Sequence, residues 1–167
     1  ITAALFFDSS FYDIGGKLEG VDFKKGPINR ADQLPFAFTS TTNIVVAQNQ
    51  AWKIENTSSW NASLRSVNGY AGGAHAIFSP AQANKKIMVG LNSDPTTDDS
   101  YTSLDYAWYV VDDGSAKIYE SNVDKGTFIV SYSADDVFAV VYDGAAIRYY
   151  YNGIVMRTVV VAITAKL

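Results

Sequence analysis

The chain has 167 residues, of which 48% are hydrophobic and 18% charged, and its formal net charge is −4. This apolar content is enough to build one hydrophobic core, which excludes a disordered chain. The absence of cysteine excludes disulfides and thiolate metal sites, and the scattered basic residues argue against a nucleic-acid partner. No apolar run approaches the roughly 20 residues that span a bilayer, so no membrane insertion is expected.

Residues 1–43 differ in character from the rest, because Gly and Pro separate only short apolar clusters there. Two interpretations stay open: an irregular N-terminal arm with short strands near 3–7 and 36–39, or the first strands of the same domain that follows. Residues 29–34, after Pro27, are predicted to form one helical turn.

From Ile44 onward, short strand-like segments alternate with turn signals, and no window keeps a helical period. This spacing predicts an all-β sandwich or barrel over residues 44–167. The predicted strands are 44–48, 51–55, 62–67, 74–78, 86–91, 106–112, 117–120, 127–132, 137–142, 146–151 and 155–163.

Two turn signals lie near the C-terminal end, Asp143-Gly144 and Asn152-Gly153. Asn, Asp and Gly tolerate the positive φ that a type I′ turn requires, so both pairs predict hairpins and a three-strand antiparallel meander. Residues 137–142 are apolar on both faces, which indicates a central strand or a second layer over its outer side.

Four motifs follow one another in a recognisable order: Asp-Tyr-Ala-Trp-Tyr at 105–109, Gly-Ser-Ala-Lys-Ile-Tyr-Glu at 114–120, Tyr-Ser-Ala-Asp-Asp-Val-Phe at 132–138 and Arg-Tyr-Tyr-Tyr-Asn-Gly at 148–153. In this order they resemble the SPRY-like modules of the concanavalin A-like jelly-roll superfamily, found in phage tail fibres, large-virus fibre proteins and bacterial surface proteins. The resemblance covers about residues 50–167, and Asp135-Asp136 stands where many relatives carry Gly-Asp.

The resemblance implies an antiparallel β-sandwich of jelly-roll topology, on a virion surface or outside the cell. It implies a non-enzymatic recognition module whose end loops bind a host glycan or surface protein. The alternative is a structural virion or fibre component that contacts other virion or fibre proteins. A homo-oligomer, a trimer by analogy with fibres, also follows from the resemblance.

The long polar loop after residue 91 holds all the candidate binding residues except Trp60. Aromatic faces stack on sugar rings, and amide and carboxylate oxygens bind hydroxyls or calcium. The candidate ligand-binding residues are Asn92, Asp94, Asp98, Asp99, Tyr101 and Trp60. The candidate calcium ligands are Asp94, Asp98, Asp99 and Asp105; the alternative is a polar loop whose carboxylates cap turns.

Signals for catalysis are weak. The chain has three glutamates, Glu19, Glu55 and Glu120, and none stands in the paired pattern of glycoside hydrolases. His75 is the only histidine and is expected to be structural, and no resident cofactor is predicted apart from calcium. Trp108 alternates with apolar neighbours and is expected in the core.

Overall fold

Each strand segment predicted from residue 44 onward overlaps a strand of the structure, and the strands form two antiparallel sheets. The computed structural model describes residues 6–11, 17–25, 37–47, 50–55, 57–70 and 72–161. The sheets pack against each other, with contacts from β7 (Ala74–Pro80) to β8 (Ile87–Asn92) and from β9 (Tyr106–Val110) to β12 (Phe138–Tyr142). The predicted all-β, antiparallel sandwich is therefore confirmed.

The first sheet has seven strands. Side by side, they are β11 (Val123–Ile129), β10 (Ala116–Glu120), β9, β8, β1 (Phe6–Phe11), β6 (Ala62–Ser66) and β3 (Phe38–Thr42). Strands β8 to β11 follow one another in the chain, so this part is a meander.

The second sheet also has seven strands. Side by side, they are β14 (Ile154–Val160), β13 (Ala146–Tyr151), β12, β7, β2 (Lys17–Lys25), β5 (Gln50–Lys53) and β4 (Ile44–Ala47). The predicted meander of the last three strands is present, with β12 pairing to β13 and β13 to β14.

The described parts of residues 1–43 contribute strands to both sheets. Strand β1 lies between β8 and β6, and β2 lies between β7 and β5. Strand β3 continues directly into β4 of the other sheet through Asn43, whose φ of 52° turns the corner. No domain boundary therefore falls at residue 43, and the predicted helical turn at 29–34 lies outside the described residues.

The core fills the space between the sheets. Side chains alternate along each strand, so Trp108, Phe138 and Tyr149 point inward and are fully buried. The indole of Trp108 packs edge-on against both of the other rings and donates from Nε1 to the carbonyl of Ala139 at 3.1 Å. The prediction that Trp108 belongs to the core is confirmed.

The two predicted hairpin turns differ. Asn152 and Gly153 have φ of 48° and 79°, as a type I′ turn requires. At the other turn only Gly144 has a positive φ, 95°. Asp143 instead accepts backbone hydrogen bonds from Ala146 at 2.8 Å and pairs with Arg148, which lowers the pKa of Asp143 to about 2. The type I′ prediction is thus wrong for this pair, because Asp143 acts as a capping side chain.

Asp136, in the motif that departs from Gly-Asp, fastens the turn before β12. Its carboxylate accepts from the Ser133 amide at 2.7 Å, from the Tyr151 hydroxyl at 2.6 Å and from Asn152 Nδ2 at 2.8 Å. These bonds, with the Ser133 amide first, lower the pKa of Asp136. The side chain therefore ties two turns together in the ionised state.

Candidate functional site

Four aromatic rings form a continuous row over the outer face of the first sheet. Tyr101 lies against Trp60 with ring centroids 4.7 Å apart and planes inclined by 31°. Trp60 contacts Tyr109 at 5.8 Å, and Tyr109 meets Tyr119 edge-on at 5.7 Å. All four rings are partly exposed. We call this set the aromatic row.

Strand parity directs two of these rings outward. On β9, Trp108 and Val110 are buried toward the core, so Ala107 and Tyr109 face away from it. On β10, Tyr119 alternates with the buried Ile118 in the same way.

A small second cluster supports the aromatic row from below. Met88, Leu104 and Ala107 are buried beneath the rings, which pack on them. Leu104 belongs to the loop of residues 93–105, whose 3₁₀ turn Tyr101–Ser103 carries Tyr101 onto the sheet. This turn is the only helical element among the described residues, and none of those residues forms a helix able to cross a membrane.

A polar network holds the segment that carries Trp60. Lys53 is 1% exposed, and its Nζ donates to the carbonyls of Thr57 and Ser59, both at 2.8 Å. A buried ammonium needs such acceptors, because losing water without them is costly. Trp60 follows Ser59 directly in the chain, so this contact fixes the start of its segment.

The residue after Trp60 is fixed as well. The Glu55 carboxylate accepts from Asn61 Nδ2 and, at 3.0 Å, from Asn43 Nδ2. Asn43 Nδ2 also donates to the Asn61 carbonyl at 2.8 Å. Trp60 is therefore anchored on both sides, which reduces the entropy lost when a ligand stacks on it.

Charged groups lie beside the Tyr119 end of the aromatic row. Lys117 Nζ donates to Asp124 Oδ2 at 3.0 Å, and the Tyr119 hydroxyl lies 3.4 Å from the same oxygen. The hydrogen bond to Asp124 raises the pKa of Lys117, so the pair is fully charged at neutral pH. At the other end, the hydroxyls of Ser100 and Thr102 are 2.7 Å apart and exposed or partly exposed.

The structure brings Trp60 and Tyr101, two of the candidate binding residues, into contact. It does not assemble the four carboxylates that sequence reasoning grouped as calcium ligands. No three Asp, Glu or His residues of the described chain lie where they can hold a metal ion together.

Three of those carboxylates accept hydrogen bonds within the loop of residues 93–105. Asp94 accepts from Thr97 Oγ1 at 3.3 Å and Asp98 from the Ser100 amide at 2.8 Å. Asp105 accepts from both the amide and the hydroxyl of Ser93 at 2.7 Å. These hydrogen bonds agree with the alternative interpretation, a polar loop whose short Asp side chains satisfy nearby amides and hydroxyls.

The remaining predicted residues serve the framework of the loop. Asp99 forms an ion pair with Arg65 at 3.6 Å, which links the loop to β6. Asn92 is fully buried, and its Oδ1 accepts from the Asp94 amide at 3.0 Å. Asn92 thus shapes the base of the loop and does not reach the surface.

Sequence reasoning missed Tyr109 and Tyr119 as members of the site. The alternation of side chains along a strand could have identified Tyr109. A core position for Trp108 places its neighbour Tyr109 on the opposite face of the sheet. Comparison of the chain with protein-family profiles, curated proteins and solved structures found no significant match.

Proposed function

We propose that this domain is a non-enzymatic recognition module that binds glycan through the aromatic row. The observation that carries the proposal is the contiguous set of four partly exposed rings over the outer face of one sheet. Aromatic side chains offer large, rigid contact area to the apolar faces of sugar rings at low entropic cost.

The groups around the aromatic row match the hydroxyls of a sugar. The Lys117–Asp124 pair supplies one donor and one acceptor at one end, and Ser100 and Thr102 supply hydroxyls at the other. A site with apolar faces and a few polar groups at its margins is typical of specific small-ligand recognition.

We also propose that the sandwich is a concanavalin A-like jelly roll of a virion, fibre or other extracellular surface protein. The order of motifs supports this assignment, as do the two seven-stranded sheets with meanders at one side of each. Fibre proteins or host surface proteins are the partners that such a setting implies.

The test is a glycan array with the purified chain, followed by titration of any hit. Trp60→Ala and Tyr101→Ala should each weaken binding about tenfold or more, since losing a stacked ring costs on the order of 1.4 kcal/mol. Tyr150→Ala is the matched control, because Tyr150 is partly exposed on the opposite sheet. Binding is expected to resist chelation, because Asp94, Asp98 and Asp105 accept hydrogen bonds within the loop and Asp99 pairs with Arg65.

Absence of any hit with a folded sample would refute the glycan proposal. An equal loss of glycan affinity in Trp60→Ala and Tyr150→Ala would also refute the location of the site at the aromatic row, because that pattern indicates general destabilisation.

A structural role as a component that binds other copies or neighbouring fibre proteins is the second candidate. One observation favours it: the outermost strands β11 and β14 carry exposed aliphatic side chains, with Val123 53%, Ile154 65% and Val160 84% exposed. Edge strands with exposed apolar residues pair readily with another chain. Light scattering across a range of concentrations tests it; a constant one-chain mass would exclude self-assembly.

A further inference from the structure

The outer face of the second sheet is apolar where a two-layer sandwich usually meets water. On β12, Phe138, Val140 and Tyr142 fill the core, which leaves Ala139 and Val141 on the outer side, next to Val137 just before the strand. An antiparallel sheet with one solvated face normally carries polar residues there. The apolar residues on both faces of this strand therefore depart from that pattern.

The strand register extends this surface across four strands. Ala139 pairs with Tyr150 of β13 on one side and with Ile77 of β7 on the other. Tyr150 in turn pairs with Val155 of β14. Because paired residues share a face, these four side chains form one row across the sheet.

A cavity of about 580 Å³ lies over this surface. Its lining includes His75, Ile77, Val137, Ala139, Val141 and Tyr150. Ala139, 8% exposed, forms a low floor, while Val137, 41% exposed, stands at the rim. The small alanine between larger neighbours leaves room that a ligand can fill.

We propose that this cavity binds a neutral, largely hydrocarbon molecule carrying one or two polar atoms. Its volume lies within the range of about 300–1,000 Å³ that small-molecule sites occupy. The described lining residues include no Asp, Glu, Lys or Arg. Arg148, which pairs with Val141 on the same face, already forms an ion pair with Asp143. A charged ligand would therefore lose its hydration without an available opposite charge among these described residues.

The polar groups of the lining determine which polar group of a ligand can form hydrogen bonds there. His75, 2% exposed, and the Tyr150 hydroxyl are the hydrogen-bonding side chains among the described lining residues. They suit a hydroxyl or carbonyl group. The concave floor at Ala139 favours an inserted molecule over a second copy of the chain, because a sheet face pairing with another sheet needs a flat, filled surface.

Titration with Nile red, an uncharged apolar fluorophore, tests this site. The wild-type chain should give saturable enhancement of its fluorescence. Ala139→Leu fills the floor and should weaken the affinity about tenfold or more, while the near-isosteric Val141→Thr should weaken it severalfold. Val160→Thr removes an aliphatic group that is 84% exposed and outside the described lining, and it should leave the affinity unchanged.

Thermal melting and the fluorescence of the buried Trp108 verify that each variant is folded. Non-saturable binding, or a folded Ala139→Leu that binds as well as the wild type, would overturn the proposal. A dimer that Ala139→Leu dissociates would also overturn it, by assigning the face to a second copy. Trp60→Ala, which tests the glycan proposal, should leave Nile red binding intact, so the two proposals fail separately.

Discussion

The ion pair between Glu120 of β10 and Arg157 of β14 joins the two sheets. Arg157 donates to Glu120 from Nε at 2.7 Å and from Nη2 at 3.0 Å. The Glu120 side chain is 11% exposed and that of Arg157 is 32% exposed. Because the carboxylate is nearly buried, its desolvation has to be offset by this bidentate contact.

The expected coupling follows from the geometry. Two unit charges about 4 Å apart attract by about 4 kcal/mol at an effective dielectric constant of 20. Desolvation of the carboxylate and solvent screening at the guanidinium remove a large part of this energy. We therefore expect a coupling free energy of about 1–3 kcal/mol between the two side chains.

A double-mutant cycle with Glu120→Gln and Arg157→Met, read by urea denaturation, measures this coupling. Arg157→Met should cost more than Glu120→Gln, because it leaves a nearly buried carboxylate whose only other cation among the described residues is Lys125 at 3.7 Å. The control is the exposed pair Lys86–Asp112, 3.2 Å apart, where we expect less than about 1 kcal/mol. A coupling near zero at Glu120–Arg157, or one no larger than the control, would refute the reasoning.

Two further predictions concern the loops and the response to acid. Lys53→Met should destabilise the fold by about 2 kcal/mol and weaken glycan binding, because the carbonyls of Thr57 and Ser59 lose a charged donor. Urea denaturation measures the stability, and an unchanged free energy of unfolding would contradict this prediction. The pKa values of Asp136 and Asp143 are lowered in the folded state, so the unfolded chain binds protons first. The contribution of Asp143 is present above the ordinary pKa of 3.8 and is lost as pH falls toward 2, and that of Asp136 is lost as pH falls below 3.8. Asp143→Asn should therefore flatten the pH dependence of the melting temperature between 3.8 and about 2.

Local turn chemistry and strand alternation could be predicted from the sequence, because both depend on neighbouring residues. Asn152-Gly153 takes the positive φ values that its residue types favour. Strand β2 was not predicted: Gly20 lies within it, and its pairing with β7 slips between Glu19 and Asp22. Such a strand is specified by distant partners and carries little local signal.

The candidate site was only partly predictable for the same reason. Trp60 and Tyr101 were chosen individually as aromatic residues able to stack on a sugar ring, but their contact depends on how two loops fold over the sheet. The acidic residues of the loop are close in sequence, which suggested a shared metal. In the folded chain, Asp94 and Asp105 accept hydrogen bonds from different partners, because each carboxylate satisfies the donors nearest to it.

Apolar side chains also lie on the outer faces of both sheets. The inner faces already bury large side chains such as Trp108, Phe138 and Tyr149. Further rings and aliphatic residues outside that core add little to its packing and raise the risk of aggregation. The two outer surfaces also differ in kind, since one presents rings beside charged groups and the other a cavity whose described lining residues are mainly aliphatic. Substitutions at sites that share no partners add nearly independently. Loss of Trp60 and filling at Ala139 should therefore change glycan and Nile red affinity separately, as two recognition surfaces on opposite sides of one core require.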